Sequence, residues 1–227
     1  MVEQSGRRAG SEDGEMDAVT TAPTFTDEHL PPSPRAIALV LHGGAEHGTM
    51  PVDGRSLSWR RGRALARHIA GPLTQDGIGV VLLRYQVKGW NAGAAGLPSP
   101  VPDARWALDE LAREHGLPVV VVGHSMGART GVAVADHPSV RGVVALAPWL
   151  PPDEPIGPLA GKVLRAAHGR RDRITSARAT RKYVARAATV ADAEFTDMGP
   201  VGHYLLRRTS LWNAYAAASV REVLATG

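Results

Sequence analysis

Residues Val119 to Arg129 read VVVVGHSMGAR, and this stretch limits the fold more than any other in the chain. Four consecutive valines have the length and β-branching of a strand buried on both faces. The run enters Gly123-His124-Ser125-Met126-Gly127, and a helical pattern follows without a linker. A strand that turns directly into a helix forces the serine between them into a strained backbone. It also brings strand and helix so close that positions 123 and 127 have no room for a β-carbon. Ser125 is therefore expected at the end of a central strand and the start of a helix. Free N–H groups and the helix dipole favour negative charge there.

The rest of the chain repeats strand-then-helix. Strands are expected at Ala36–Leu41, Gly79–Leu83, Pro118–Val122, Gly142–Leu146, Lys162–Ala167 and Val190–Thr196. Helices are expected at Leu57–Ala70 with a Gly71-Pro72 stop, from Asp103 to His115 with Gly116 as the close, and at Met126–Asp136, Ser176–Ala188 and Tyr204–Leu224. This alternation predicts an α/β fold: a three-layer, mostly parallel sheet with helices on both faces. Ligands of such sheets bind beyond the carboxyl ends of the strands, so residues that carry chemistry should follow strands directly. Residues 1–34 are polar, end in Pro31-Pro32-Ser33-Pro34, and read as a disordered or loosely docked leader. Within them Ala18–Phe25 offers one edge strand. The domain proper is expected over 35–227.

Composition narrows the classes. The chain has 227 residues, enough for one core, and no cysteine, which excludes disulfides and thiolate chemistry. The formal charge of +4 is spread along the chain and does not point to nucleic acid. No apolar run has the length of a membrane span, and no apolar segment follows Arg7-Arg8. A cytoplasmic protein is the expectation, with no nucleic-acid or membrane partner. Oligomeric state is unreadable.

Three more motifs sit directly after strands. His42-Gly43-Gly44-Ala45 follows the first core strand. Its glycine turn can aim a backbone N–H at a developing oxyanion, with Met126 N–H as the second donor. Gly44 is the chosen donor and Ala45 the alternative, while His42 is expected to buttress the loop. His168-Gly169-Arg170-Arg171-Asp172-Arg173 follows the fifth core strand, and Asp172 is placed to orient a histidine. The competing reading pairs Asp172 with its neighbouring arginines on a solvated loop. Asp192, Asp197 and Asp153 are less favourably placed acids. Met198-Gly199-Pro200-Val201-Gly202-His203 follows the last strand and supplies His203 as the general base. His124 is expected to point away from the serine.

Ser125, Asp172 and His203 occur in the order Ser…Asp…His, each at a strand end. In these motifs the chain, from Arg35 to Thr226, resembles the α/β-hydrolases, in particular small lidless serine esterases of the bacterial type. The resemblance implies a serine hydrolase cleaving a small-molecule carboxylic ester through an acyl-enzyme on Ser125, with no cofactor and no metal. The same triad serves thioesters, lactones, amides or peptides and C–C bonds. A non-catalytic binding protein on this fold is the rival outside enzymes. Families of this kind often begin with an antiparallel hairpin and insert a cap between the fourth and fifth core strands. Here residues 147–159 are too short and proline-rich for a helical lid. That predicts an open site, with Ala45, Trp90, Trp149 and Leu150 as candidate wall residues; for each tryptophan plain core packing is the competing reading.

Overall fold

The computed structural model describes residues 22–92 and 96–226. Five α-helices and seven strands follow one another as β1 (Thr24–His29), β2 (Ala36–Leu41), α1 (Leu57–Thr74), β3 (Ile78–Arg84), α2 (Pro100–His115), β4 (Val119–His124), α3 (Met126–Ala133), β5 (Val140–Leu146), β6 (Val163–His168), α4 (Ala177–Ala187), β7 (Asp192–Asp197) and α5 (Thr209–Ala225). The strands form one sheet in the order β1-β3-β2-β4-β5-β6-β7. Only β1 runs antiparallel to its neighbour. Strands β2 and β4 are buried at every residue, as runs of Ala, Ile, Leu and Val in a doubly covered parallel sheet must be.

Handedness assigns the faces. A parallel strand–helix–strand connection is right-handed. The path from β2 through α1 steps outward to β3. The path from β3 through α2 crosses back over β2 to β4, and later steps continue in that direction. The reversal puts α1 on one face and α2, α3 and α4 on the other; α5 packs against α1. The direction changes between β2 and β4, so a crevice opens beyond the carboxyl ends of these two adjacent strands. Leu41 pairs with Gly123 there, which places the 42–44 loop beside Ser125.

Several boundaries differ from the sequence reading. The segment assigned to the leader contains β1, whose Thr24–His29 pairs with Val80–Arg84 of β3 across a bulge. The edge strand thus lies later than Ala18–Phe25, and residues 1–21 are outside the described residues. Helix α1 runs through Gly71-Pro72 to Thr74. Pro72 lies in the last turn and lacks the N–H that would bond His68 O, so the helix forgoes one bond there, while fully buried Leu73 holds that turn on the core. Helix α2 starts at Pro100, a residue suited to a first turn, so Asp103 lies inside the helix and caps nothing. Its carboxylate instead accepts hydrogen bonds from the Gln86 backbone N–H and side-chain amide. Helix α5 begins at Thr209 instead of Tyr204, because Leu205 (φ 58°) and Arg208 (φ 56°) interrupt it with left-handed backbone. Between β5 and β6 there is one 3₁₀ turn, Gly157–Leu159, and no inserted helical domain. No helix among the described residues is long and apolar enough to cross a membrane.

Candidate active site

The turn at Ser125 is built as its sequence demands. Ser125 has φ 55° and ψ −115°, outside the regions open to ordinary residues. A β-carbon on Gly123 would run into the backbone of Ala128, and one on Gly127 into the carbonyls of Leu41 and His42. With those atoms absent, α3 docks directly on β2 and β4. Ser125 N–H donates to Leu146 O (3.1 Å), and Ser125 O accepts from Trp149 N–H (3.2 Å), tying the turn to the end of β5.

Ser125, His203 and Asp172 converge. His203 Nε2 lies 3.0 Å from Ser125 Oγ, and His203 Nδ1 lies 2.8 Å from Asp172 Oδ2. The competing reading of Asp172 fails on geometry: its carboxylate faces inward and bonds none of the flanking arginines. Oδ1 accepts the N–H groups of Ile174 (2.8 Å) and Thr175 (2.9 Å). Oδ2 also accepts from His168 Nε2 (2.9 Å) and the Thr175 hydroxyl (2.9 Å). Burial pushes the Asp172 carboxyl up, but the hydrogen bonds from His168, His203 and the two amides outweigh it and hold the group far below the usual carboxylate range. It is an anion at neutral pH. The other acids are committed elsewhere: Asp192 pairs with Arg165, and Asp197 accepts from Gly199 N–H.

The 42–45 loop treats its two candidate amides differently. Ala45 N–H donates to Lys88 O (2.8 Å) and is not free. Among the described residues no hydrogen bond engages Gly44 N–H or Met126 N–H. Gly44 packs so closely on the Met126 side chain and Lys88 O that a β-carbon there would collide with both. His42 braces the loop. Tyr85 N–H donates to its Nε2 (3.3 Å), which leaves Nδ1 to carry the proton toward Gly43 O (2.6 Å). Burial pushes His42 down to about 4, so the ring stays neutral.

Of the predicted wall residues, Trp90 and Trp149 meet edge to face with centroids 6.0 Å apart. The Arg129 guanidinium lies over both rings, 4.1 Å from Trp90 and 4.5 Å from Trp149, and pairs with buried Glu154. A cavity of about 280 Å³ opens beside Trp90, between Val101 of α2, Ala133 at the end of α3, and Pro155. Ala45 is exposed, whereas Leu150 is buried in the core.

Three supporting residues escaped the sequence reading. His168 and Thr175 both hold Asp172. His124 does avoid the serine hydroxyl, but its ring lies 5.0 Å from that of His203 and its Nε2–H donates to His203 O (3.0 Å). Burial and the neighbouring His203 push His124 down to about 3. The signal for His168 was its place at a strand end four residues before Asp172; nothing local marks Thr175. Among the described residues no cluster of His, Asp and Glu is arranged to hold a metal ion.

The model of the alpha/beta hydrolase family matches residues 38–227. Comparison with curated proteins gives no match. Among solved structures, an alpha-beta serine hydrolase homologue from Coxiella burnetii superposes with a TM-score of 0.65 at 14% identity, covering 88% of this chain and 97% of its own. A serine hydrolase without lid from Xanthomonas campestris gives 0.62 at 16% identity, covering 89% and 95%. A thermophilic esterase from Thermogutta terrifontis gives 0.64 at 14%, covering 88% of each.

Proposed function

The chain belongs to the alpha/beta hydrolase family, and from that premise we propose that it hydrolyses a carboxylic ester of a small molecule through an acyl-enzyme on Ser125. The observation that carries this reading is the unbroken line from Ser125 Oγ through His203 to Asp172, at 3.0 and 2.8 Å. His203 Nε2 takes the hydroxyl proton as Oγ attacks the ester carbonyl carbon. The carbonyl oxygen becomes an anion held by Gly44 and Met126 N–H, neither of which makes a hydrogen bond among the described residues. Such preorganised donors are worth about 3 kcal/mol of barrier each. His203 gives the proton to the alcohol oxygen as the ester C–O bond breaks, takes one from the water that attacks the acyl carbon, and returns it to Ser125 Oγ as the acyl–Oγ bond breaks and the acid leaves. Asp172 remains ionised throughout; it fixes Nδ1–H toward itself and stabilises the imidazolium.

The ester reading also draws on the lack of an inserted cap and on the Trp90–Trp149 pair, whose Trp149 backbone N–H is bonded to Ser125 O and which suits a short or aryl acyl group. The Thermogutta terrifontis esterase was solved with propionate bound, and a small acyl group is proposed for this chain too. The test is labelling with a fluorophosphonate followed by peptide mass spectrometry, paired with turnover of p-nitrophenyl acetate. Modification of Ser125, together with loss of turnover in Ser125→Ala, is the expected result. Label on another residue, or turnover that survives Ser125→Ala, would sink the proposal.

A further inference from the structure

We propose that the cavity bounded by Arg170, Arg171, Arg173 and Arg207 binds a phosphate- or carboxylate-bearing ligand next to the reaction centre. The loops after β6 and β7, which deliver Asp172 and His203, also enclose a surface cavity of about 550 Å³ whose lining includes these four arginines with Asp172 and Gly202. All four arginines are exposed. Arg170 has one loose ion pair, with Asp197 at 3.6 Å. Among the described residues no ion pair or hydrogen bond engages the guanidinium of Arg171, Arg173 or Arg207.

The arrangement follows from where Asp172 points. A carboxylate amid three sequence-adjacent arginines would ordinarily neutralise them. Here it turns inward to His203, His168 and two backbone amides, and its side chain is 1% exposed. The guanidiniums are left on the outer side of the loops, lining one concave surface, where the loose Arg170–Asp197 pair is the one ion pair they make among the described residues. Like charges held together repel, and an anion relieves that repulsion. Guanidinium forks match the paired oxygens of carboxylate and phosphate. The lining shares Asp172 with the proposed triad but contains neither Ser125 nor His203, so a Ser125 variant leaves it in place.

Inorganic phosphate titrated into the full chain at fixed ionic strength should give saturable binding by calorimetry and a rise in Tm that equal ionic strength of chloride does not reproduce. In Arg171→Gln/Arg207→Gln the rise should vanish and Kd should weaken by about tenfold or more, since each lost fork removes a charge-assisted contact. Without phosphate this variant should melt no lower than the parent, because repulsion has been removed. Arg171→Lys/Arg207→Lys keeps the charge, loses the fork and should fall between the two. Affinity equal to the parent in both double variants, or a Tm rise matched by chloride, means an adventitious ion only and overturns the site. Repeating the titration in Ser125→Ala should leave phosphate binding intact, which separates this inference from the catalytic one. Two sources of the anion are then told apart by KM. If an ester ending in carboxylate has a lower KM than its neutral counterpart, and phosphate competes with it, the anion is the substrate's own. Equal KM values with phosphate still bound identify a separate ligand.

Discussion

His168 and His203 donate to the same oxygen of Asp172, from 2.9 and 2.8 Å. His168 is completely buried and is held from behind by Thr180, 2.8 Å from its Nδ1. It touches no reacting atom, so its part is to position the carboxylate. His168→Phe should lower kcat by about tenfold at little change in KM, in the range found for outer partners of catalytic groups. A loss of Tm with kcat unchanged would show that the bond is merely structural.

The backbone at Ser125 predicts a stability difference that activity cannot report. At φ 55° and ψ −115° a β-carbon is strained, by roughly 1–3 kcal/mol for such outliers. Ser125→Gly and Ser125→Ala both lose the hydroxyl and should both lose turnover. The glycine variant should nonetheless be the more stable by about 1 kcal/mol in denaturant titration, after allowance for its greater unfolded-state freedom. An alanine variant as stable as the glycine one would mean that the turn stores no strain.

Acid should weaken the fold in two stages. His42 and His124 are pushed down to about 4 and about 3 by burial. In the unfolded chain they bind protons near the ordinary imidazole value of 6.5, so the unfolded state gains protons that the native state refuses. Stability therefore falls as pH drops from 6.5 toward 4. Asp172 is held below its ordinary value of 3.8 by its hydrogen bonds. Its contribution is present above that value and is lost as pH falls further. His124→Gln, whose amide can still donate to His203 O, should flatten the first stage measurably, by an amount on the order of a few kcal/mol at pH 4. An unchanged slope between pH 6.5 and 4 counts against burial of a neutral imidazole.

Arg129 and Glu154 are 16% and 6% exposed in their side chains. Burial pushes the Glu154 carboxyl up, against the pull of Arg129. Arg129→Gln strips the glutamate of its partner and unpins both tryptophans, so a loss of about 3 kcal/mol is expected. Arg129→Gln/Glu154→Gln should regain much of it, because no lone charge stays buried. A double variant no better than the single one would place the cost in the lost ring contacts instead.

Two glycines in helices should respond oppositely to alanine. At Gly71 a β-carbon meets nothing within 4 Å, and α1 should gain about 0.8 kcal/mol from the better helix former. At Gly127 it meets the carbonyls of Leu41 and His42. Backbone cannot swing aside like a side chain, so a loss of about 3 kcal/mol or more is expected, beyond ordinary overpacking. Urea midpoints of the two variants check both signs.

The legible parts of this protein were those written in short spans. The valine run and the apolar stretch Ala36–Leu41 name buried strands because a doubly covered strand needs little beyond its own composition. The crowded glycines name the turn at Ser125 because no other residue fits there. The less legible parts depend on distant partners. Gly71-Pro72 looks like a stop until Leu73 is seen docked in the core. The start of α5 is hidden because its preceding loop runs through Leu205 and Arg208, residues with no local preference for positive φ. Strand β1 is hidden by its polar content, tolerable at a sheet edge.

For the site, strand–turn–helix order alone gave Ser125, Asp172 and His203 as candidates at one sheet edge, since parallel strands put all their carboxyl ends on one side. Only the folded chain decided that Asp172 faces the histidines and leaves its arginine neighbours outside, that His168, Thr175 and His124 support the line, and that Ala45 N–H is spent on Lys88 while Gly44 N–H is not. Those outcomes turn on differences of an ångström or two in side-chain direction. Packing of the β6 loop on the β7 loop, and of the β2 loop on the β3 loop, sets these directions, and no local run of residues encodes them.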